Sequence, residues 1–165
     1  DQVFVLGFSS GGTLAQRLAC ALPEQLAAVG VIAAPMPEYL QAECAGTAPI
    51  PIMLIQGTDD SAFPWLGVPG TVLGGRATRD FWVAHNGCGI ASAQTPLPDN
   101  APADGTLTIR EQFSLCAANA EVRFYGVYGG GHAWPGRAFS GASGPAGMDF
   151  DASEAMWSFF SAHGG

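Results

Sequence analysis

The sequence predicts an α/β fold of about four mostly parallel strands with flanking helices. Continuous apolar runs, as opposed to alternating ones, are typical of strands that are covered on both faces, as in parallel sheets. Such runs occupy residues 3–7, 26–35, 50–57 and 122–128. Helical patterns and loops separate them, and right-handed crossovers between successive strands then produce a parallel sheet.

The first apolar run leads into a helix that Pro23 ends. Four apolar residues fall on one face of this helix at spacings of three or four: Leu14, Leu18, Ala21 and Leu22. The stretch "MPEYLQAEC", which follows the second run, allows only a short helix or a loop.

Two later helices have clear end signals. Residues 78–86 predict a helix that Gly87 closes as its C-terminal cap. The last helix has Asp151 as its N-cap, Glu154 three residues later as in a capping box, and Gly164 after its final turn. Residues 90–105 read as a loop, and "TLTIREQF" alternates like a half-exposed strand. No linker divides the chain, so residues 1–165 belong to one domain.

Composition excludes several classes of function. Six arginines, no lysine and fourteen acids leave a formal charge of -8, which disfavours nucleic acids and anionic membranes as partners. No run approaches the roughly 18 apolar residues of a membrane span. The cysteines at 20, 44, 88 and 116 form no CxxC pair, and with only three histidines the sequence predicts no metal site and no cofactor. Four spaced cysteines suit two disulfides in an oxidising compartment, and reduced core cysteines in a cytosolic protein are the alternative.

The motif with most chemical content follows the first strand. Residues 7–11 read Gly-Phe-Ser-Ser-Gly, which matches GxSxG, the sharp strand-to-helix turn that raises a serine hydroxyl above the edge of a parallel sheet. An ordinary Gly-Ser turn is the alternative interpretation, but an apolar strand before the motif and a helix after it are the context that the motif requires. We therefore expect Ser9 to be a nucleophile, with the backbone N–H of Ser10 as an oxyanion donor.

A serine nucleophile needs a base, and the chain offers three histidines. His85 and His163 lie at predicted helix C-termini, where a surface imidazole is favoured by the helix dipole. His132 instead follows the last strand on a run of three glycines. We therefore expect His132 to be the general base and acid.

The base in turn needs a carboxylate to orient it. Asp59 and Asp60 both follow the third strand, at the same sheet edge as Ser9 and His132, and either one is equally explained as a turn residue that binds its own backbone. The chain order Ser, Asp, His is that of α/β-hydrolases.

Five stretches in order along the chain resemble the extracellular polyhydroxybutyrate depolymerase and feruloyl esterase group of α/β-hydrolases: "GFSSGG", "PIMLIQGTDD", "WVAHNGCG", "GGGHAWPG" and "FDASEAMWSFFSAH". In that group the carboxylate is the last residue of a GTxD pattern, which implies Asp60 and leaves Asp59 as the variable position. The resemblance also implies a Cys88–Cys116 disulfide, and Cys20–Cys44 is then the remaining pair.

The resemblance covers the C-terminal half of that fold, beginning at the nucleophile strand. It implies that the N-terminal strands are missing, that the chain is truncated at its N-terminus, and that the missing half of the domain is a partner that supplies the second oxyanion donor. It also implies a secreted, extracellular or periplasmic enzyme that hydrolyses an ester substrate.

The expected substrate is a polyester of the polyhydroxybutyrate type. The alternatives are a feruloyl or acetyl ester on plant polysaccharide, and a catalytically inert fragment or binding module. Trp65 and Trp134, together with Phe63 and Pro64, are candidates for an apolar wall of the substrate site or, equally, for loop packing.

Overall fold

A computed structural model of the protein describes residues 2–89, 94–137 and 143–164. Within these ranges a six-stranded mixed sheet carries helices on both faces. The strands are β1 (Phe4–Phe8), β2 (Ala28–Ile32), β3 (Ile52–Gly57), β4 (Thr95–Pro96), β5 (Leu107–Phe113) and β6 (Val122–Tyr128). The α-helices are α1 (Ser10–Ala21), α2 (Leu40–Glu43), α3 (Gly75–His85) and α4 (Ala152–His163).

The strand order is β1-β2-β3-β6-β5-β4. The first four strands in this order pair in parallel, with Val29 opposite Ile52 and Ile52 opposite Val122. These four are the apolar runs from which the sequence predicted a parallel sheet. Because they run in one direction, their carboxyl ends share one edge of the sheet, where loops that carry functional side chains collect.

The last two strands change the predicted sheet from mostly parallel to mixed. β5 pairs antiparallel with β6, and the two-residue β4 pairs antiparallel with β5. Only residues 114–121 connect β5 to β6, which is too short for the dozen or more residues of a parallel crossover. β4 lies inside the segment expected to be loop, of which residues 90–93 lie outside the described residues.

Side chains alternate between the two faces of the sheet, as strand geometry requires. On one face Ile52 and Leu54 pack with α1 and with the fully buried Trp82 of α3. On the other face Met53 and Ile55 pack with α4, whose contribution is Met156, Phe159 and Phe160. The result is a three-layer arrangement with a separate apolar core on each side.

The apolar face that the sequence predicted for α1 is not the face that the structure buries. Leu14 is 56% exposed and Leu22 is 38% exposed. The helix instead buries Gln16 and four small residues, which are Gly12, Ala15, Ala19 and Cys20. The reason is the close approach of α1 to the sheet at its first turn. A Cβ added at Gly12 would lie 2.6 Å from the Cβ of Ala34.

The other helix signals agree with the structure, apart from one start. The Asp151 side chain accepts hydrogen bonds from the backbone N–H groups of Ser153 and Glu154 and so caps α4. Gly87 follows α3 with a φ of 59°, the left-handed conformation of a helix C-terminus. α3 begins at Gly75, three residues before the predicted start.

Two disulfides tie helices to neighbouring loops. Cys20 of α1 is bonded to Cys44, directly after α2, and Cys88 after α3 is bonded to Cys116 after β5. The resemblance implied the Cys88–Cys116 bond, and Cys20–Cys44 was the pair that then remained. Among the described residues, no helix is both long enough and apolar enough to cross a bilayer.

Candidate active site

Ser9 lies at the sharp turn between β1 and α1. Its backbone adopts φ 56° and ψ −127°, a conformation that L-residues rarely hold without support. The Ser9 N–H donates to the Ile32 carbonyl at 2.9 Å, and the Ser9 carbonyl accepts from Gly12 at 2.8 Å. Gly7 has no room for a side chain, because an added Cβ would overlap the carbonyl of Gly11. The turn therefore fixes the serine in place through its backbone.

The two serines of the motif differ in what they present. The Ser9 hydroxyl is turned toward His132, at 2.9 Å from its Nε2 atom. Ser10 is exposed and is the first residue of α1, where backbone N–H groups have no acceptor within the helix. Its N–H therefore has the position at the helix start that suits an oxyanion donor.

His132 follows β6 after the three-glycine turn and is 8% exposed. Its backbone forms a two-way bridge with Ser143: the His132 N–H donates at 2.7 Å, and its carbonyl accepts at 3.0 Å. This bridge holds the loop that carries the imidazole. His85 and His163 lie elsewhere, near the Ala48 carbonyl and against the Phe159 carbonyl respectively.

Asp60 is the aspartate that the structure brings to His132. Its Oδ2 atom lies 2.9 Å from His132 Nδ1, and its Oδ1 atom accepts from the backbone N–H groups of Ala62 at 2.9 Å and Phe63 at 2.8 Å. The neighbouring Asp59 is exposed, and its side chain accepts from the Thr58 hydroxyl. The structure thus separates two adjacent aspartates that the residues alone left equivalent.

These contacts determine the direction of proton transfer. A carboxylate only accepts hydrogen bonds, so Asp60 places the imidazole proton on Nδ1 of His132. Nε2 is then free to accept the proton of the Ser9 hydroxyl. The arrangement can therefore act as a general base that takes the proton of the Ser9 hydroxyl while its oxygen attacks an electrophile.

Two aromatic rings lie close to the imidazole of His132. The ring centroid of Phe8 lies 4.9 Å from that of His132, and the ring centroid of Phe63 lies 5.8 Å from it. Each of these phenylalanines also lines an apolar cavity. The first, about 430 Å³, is lined by Phe8, Trp134, Arg137 and Ser153. The second, about 490 Å³, lies between Phe63 and the segments around Thr13, Tyr39 and Val72.

The two tryptophans considered for substrate binding lie in different surroundings. Trp134 is half-buried in the first cavity, with its ring 6.2 Å from Phe8 and its indole N–H donating to Ser153. Trp65 contacts the rings of Phe124 and Tyr128 and packs against the core. It also borders a third hollow beside Asp59 and Asp60. Trp134 is therefore connected to His132 through the Phe8 ring, which contacts both, whereas Trp65 borders the hollow beside Asp60.

Sequence reasoning missed Gln56 as a member of the site. This residue is the penultimate one of β3, is 3% exposed, and donates to Asp60. A glutamine inside an otherwise apolar strand is the signal that points to it, because a buried amide must find partners.

In the described parts of the chain, no three His, Cys, Asp or Glu side chains are grouped so as to hold a metal ion.

Comparisons with known proteins point to esterases, although no family model matches the chain. The chain is 31% identical to "Putative esterase NocK" of Nocardia uniformis subsp. tsuyamanensis over 153 residues, or 84% of this chain and 44% of that protein. It is 30% identical to feruloyl esterase D of Neurospora crassa over 130 residues, or 79% of this chain and 39% of that protein. It is 32% identical to feruloyl esterase C of Emericella nidulans over 162 residues, or 96% of this chain and 49% of that protein.

The chain spans less than half the length of each of these relatives. Their names support an esterase family for this sequence, and the α/β architecture is compatible with it. The similarity does not depend on the motif alone, since it extends over most of the chain.

Proposed function

We propose that the protein is a carboxylic-ester hydrolase that uses Ser9 as nucleophile, His132 as general base and acid, and Asp60 to orient the imidazole. The observation that carries the proposal is the continuous series of hydrogen bonds from Asp60 Oδ2 through both ring nitrogens of His132 to Ser9 Oγ, with both distances at 2.9 Å. The names of the relatives supply independent support.

The reaction is two successive acyl transfers. His132 Nε2 takes the proton from Ser9 Oγ as the oxygen attacks the ester carbonyl, and a tetrahedral oxyanion forms. The oxyanion accepts a hydrogen bond from the Ser10 N–H. The C–O bond to the alcohol then breaks, and the alcohol leaves with the proton from His132. Water repeats the sequence on the acyl-enzyme, which releases the acid and restores the Ser9 hydroxyl.

A second oxyanion donor is part of this proposal. One missing donor typically costs about 3 kcal/mol of transition-state stabilisation. We propose that the second N–H comes from a further segment of a longer chain, in keeping with relatives that are about twice as long. The outer edge of β1 is consistent with this, because among the described residues β1 pairs only with β2.

For the substrate, we propose an ester of an aromatic acid, such as a feruloyl group on plant polysaccharide. Four similar proteins have feruloyl esterase in their names, one of them as a probable one. The cavity between Phe8 and Trp134 has aromatic walls, which suit a planar apolar acid, and its Phe8 ring lies 4.9 Å from the His132 ring. The two disulfides support a secreted or periplasmic location. A polyester of the polyhydroxybutyrate type is the competing substrate, for which the same cavity would hold an aliphatic acyl chain.

The nucleophile is tested by labelling with a fluorophosphonate, which reacts with activated serines. We expect the wild-type protein, with the segment that supplies the second oxyanion donor, to be labelled, Ser9→Ala to lose the label, and Ser10→Ala to keep it, because only the backbone of Ser10 takes part. The two variants are matched, since they remove the same hydroxyl from adjacent residues. Undiminished labelling of Ser9→Ala would refute the proposal.

The substrate is tested by comparing hydrolysis of methyl ferulate with that of 3-hydroxybutyrate oligomers. We expect Trp134→Ala to raise KM for methyl ferulate more than KM for the oligomers. Faster turnover of the oligomers by the wild-type protein would favour the polyester instead. Retention on xylan or polyester film, with hydrolysis no faster than that of Ser9→Ala, would indicate an inert binding module.

A further inference from the structure

Gln56 stands out as a polar side chain in an apolar strand. The four preceding residues of β3 are Ile52, Met53, Leu54 and Ile55, all buried, and Gln56 itself is 3% exposed. A buried primary amide costs free energy unless its hydrogen-bonding groups are satisfied. The position of this amide, four residues before Asp60, therefore calls for a physical reason.

The Gln56 Nε2 atom faces three oxygen atoms. It lies 3.1 Å from Asp60 Oδ2, 3.1 Å from the Phe63 carbonyl and 3.4 Å from the Gly57 carbonyl. Only an NH₂ group can face acceptors alone, so this end of the side chain is the donor. Its two N–H groups join the carboxylate to the loop that follows it.

The oxygen that Gln56 contacts is the one that faces His132. Asp60 Oδ2 accepts from Gln56 and from His132 Nδ1, while Oδ1 accepts from the backbone at Ala62 and Phe63. The carboxylate is thus held at both oxygens and cannot rotate without breaking bonds. The Phe63 carbonyl takes the other Gln56 contact, and the Phe63 ring packs beside His132.

We propose that Gln56 is a positioning residue of the site. Its amide fixes the rotation of the Asp60 carboxyl group so that Oδ2 points at His132, because it adds a second donor at that oxygen beside His132 Nδ1. Gln56 touches no reacting atom and takes part in no covalent step. The inference rests on the proposed Ser9, His132 and Asp60 roles, and it assigns the support of that series of bonds to one side chain.

The main test variant is Gln56→Met, which keeps the length of the side chain but removes the donor. We expect fluorophosphonate labelling of Ser9 and kcat for an activated ester to fall by about tenfold, since hydrogen bonds to charged groups are the strong ones. KM should stay within twofold of wild type, because Gln56 does not contact substrate. The NMR resonance of the His132 Nδ1 proton should shift or broaden.

Gln16→Met is the matched control. Gln16 is also a fully buried glutamine; its amide donates to the Ala34 carbonyl at 2.8 Å and accepts from the Trp82 indole at 3.0 Å. Its loss should lower the free energy of unfolding. The labelling rate and the His132 proton resonance should be unchanged, since neither contact of Gln16 involves Asp60 or His132.

Gln56→Glu is a second variant, nearly equal in shape, for the case in which the methionine variant does not fold. Its carboxyl can donate to Asp60 while protonated and repels Asp60 when ionised. We therefore expect its loss of kcat relative to wild type to grow as the pH rises. A loss that is independent of pH would contradict the positioning role.

The outcomes separate the two proposals. Suppose that the wild type is labelled and that Gln56→Met has the same labelling rate and an unchanged His132 resonance. That result overturns the positioning role of Gln56 and leaves the proposed function intact. Suppose instead that the wild-type protein is not labelled although the second-donor segment is present, and that Gln56→Met still alters the His132 resonance. That result overturns the proposed function and leaves the positioning of Asp60 by Gln56 supported.

Discussion

The two glycines of the GxSxG turn, Gly7 and Gly11, differ in how much room they leave for a side chain. Replacing each by alanine tests whether steric crowding explains the glycine at Gly7. A Cβ at Gly7 would overlap the carbonyl of Gly11 and would lie 2.6 Å from the nitrogen of Gly12. Both are backbone atoms, so no side chain can swing aside. A Cβ at Gly11 would have no heavy atom within 4 Å, and Gly11 is a helical residue of α1.

The magnitudes follow from these contacts. Overpacking typically costs about 1–3 kcal/mol, and a clash with backbone places Gly7→Ala at or above the upper end of that range. Gly11→Ala should stabilise the chain by about 0.5–1 kcal/mol, because alanine loses less conformational entropy than glycine in a helix. The two variants should therefore differ by about 4 kcal/mol in the free energy of unfolding, or roughly 10 °C in Tm for a chain of this size.

Urea and thermal unfolding followed by circular dichroism measure this difference directly. Gly7→Ala should also lose fluorophosphonate labelling, because a displaced turn moves Ser9 Oγ away from His132 Nε2. Two alanine variants that unfold within about 1 kcal/mol of each other would refute the steric account of the turn.

Two further predictions concern stability. Replacing Cys20 and Cys44 by serine opens a closed loop with a sequence separation of 24 and should cost about 3 kcal/mol; dithiothreitol should then lower the urea midpoint of this variant less than that of wild type. In acid, Asp104 and Asp151 should contribute to unfolding. Partial burial opposes their ionisation, but hydrogen bonds from Thr106 and the Met148 N–H to Asp104, and from Ser153 and Glu154 to Asp151, outweigh it and hold each pKa below the usual 3.8. The stabilisation from the two ionised aspartates is complete above pH 3.8 and is lost as the pH falls through their lower pKa values in the folded state. The free energy of unfolding of Asp104→Asn should therefore decline less steeply than that of wild type below about pH 4. An unchanged decline would contradict this account.

Local patterns were enough to predict most of the sheet. Four continuous apolar runs correspond to β1, β2, β3 and β6, since a strand buried on both faces needs apolar residues at every position. The cap at Asp151 and the left-handed Gly87 were also predictable, because capping depends on residues next to the helix end. The antiparallel β4 and the direction of β5 were not predicted, because pairing depends on which edge a strand can reach.

The face of α1 shows where pattern reasoning fails. Leucine spacing selected Leu14 and Leu22, yet both are exposed, and at its first turn the helix lies so close to the sheet that Gly12 has no room for a side chain. The distance between a helix and the sheet is set by how the layers pack. It cannot be read from the spacing of apolar residues along the helix.

By itself the sequence determined a parallel sheet, a serine at a strand-to-helix turn, and a histidine and two aspartates after later strands. It did so because these features depend on neighbouring residues and on the shared edge of parallel strands. The local pattern left Asp59 and Asp60 equivalent and the family resemblance implied Asp60, whereas the contacts of Asp60 with His132 and with Gln56 are visible only in the tertiary structure. Adjacent residues of a turn point in different directions, and contacts between residues 72 apart depend on how the loops fold over the sheet edge.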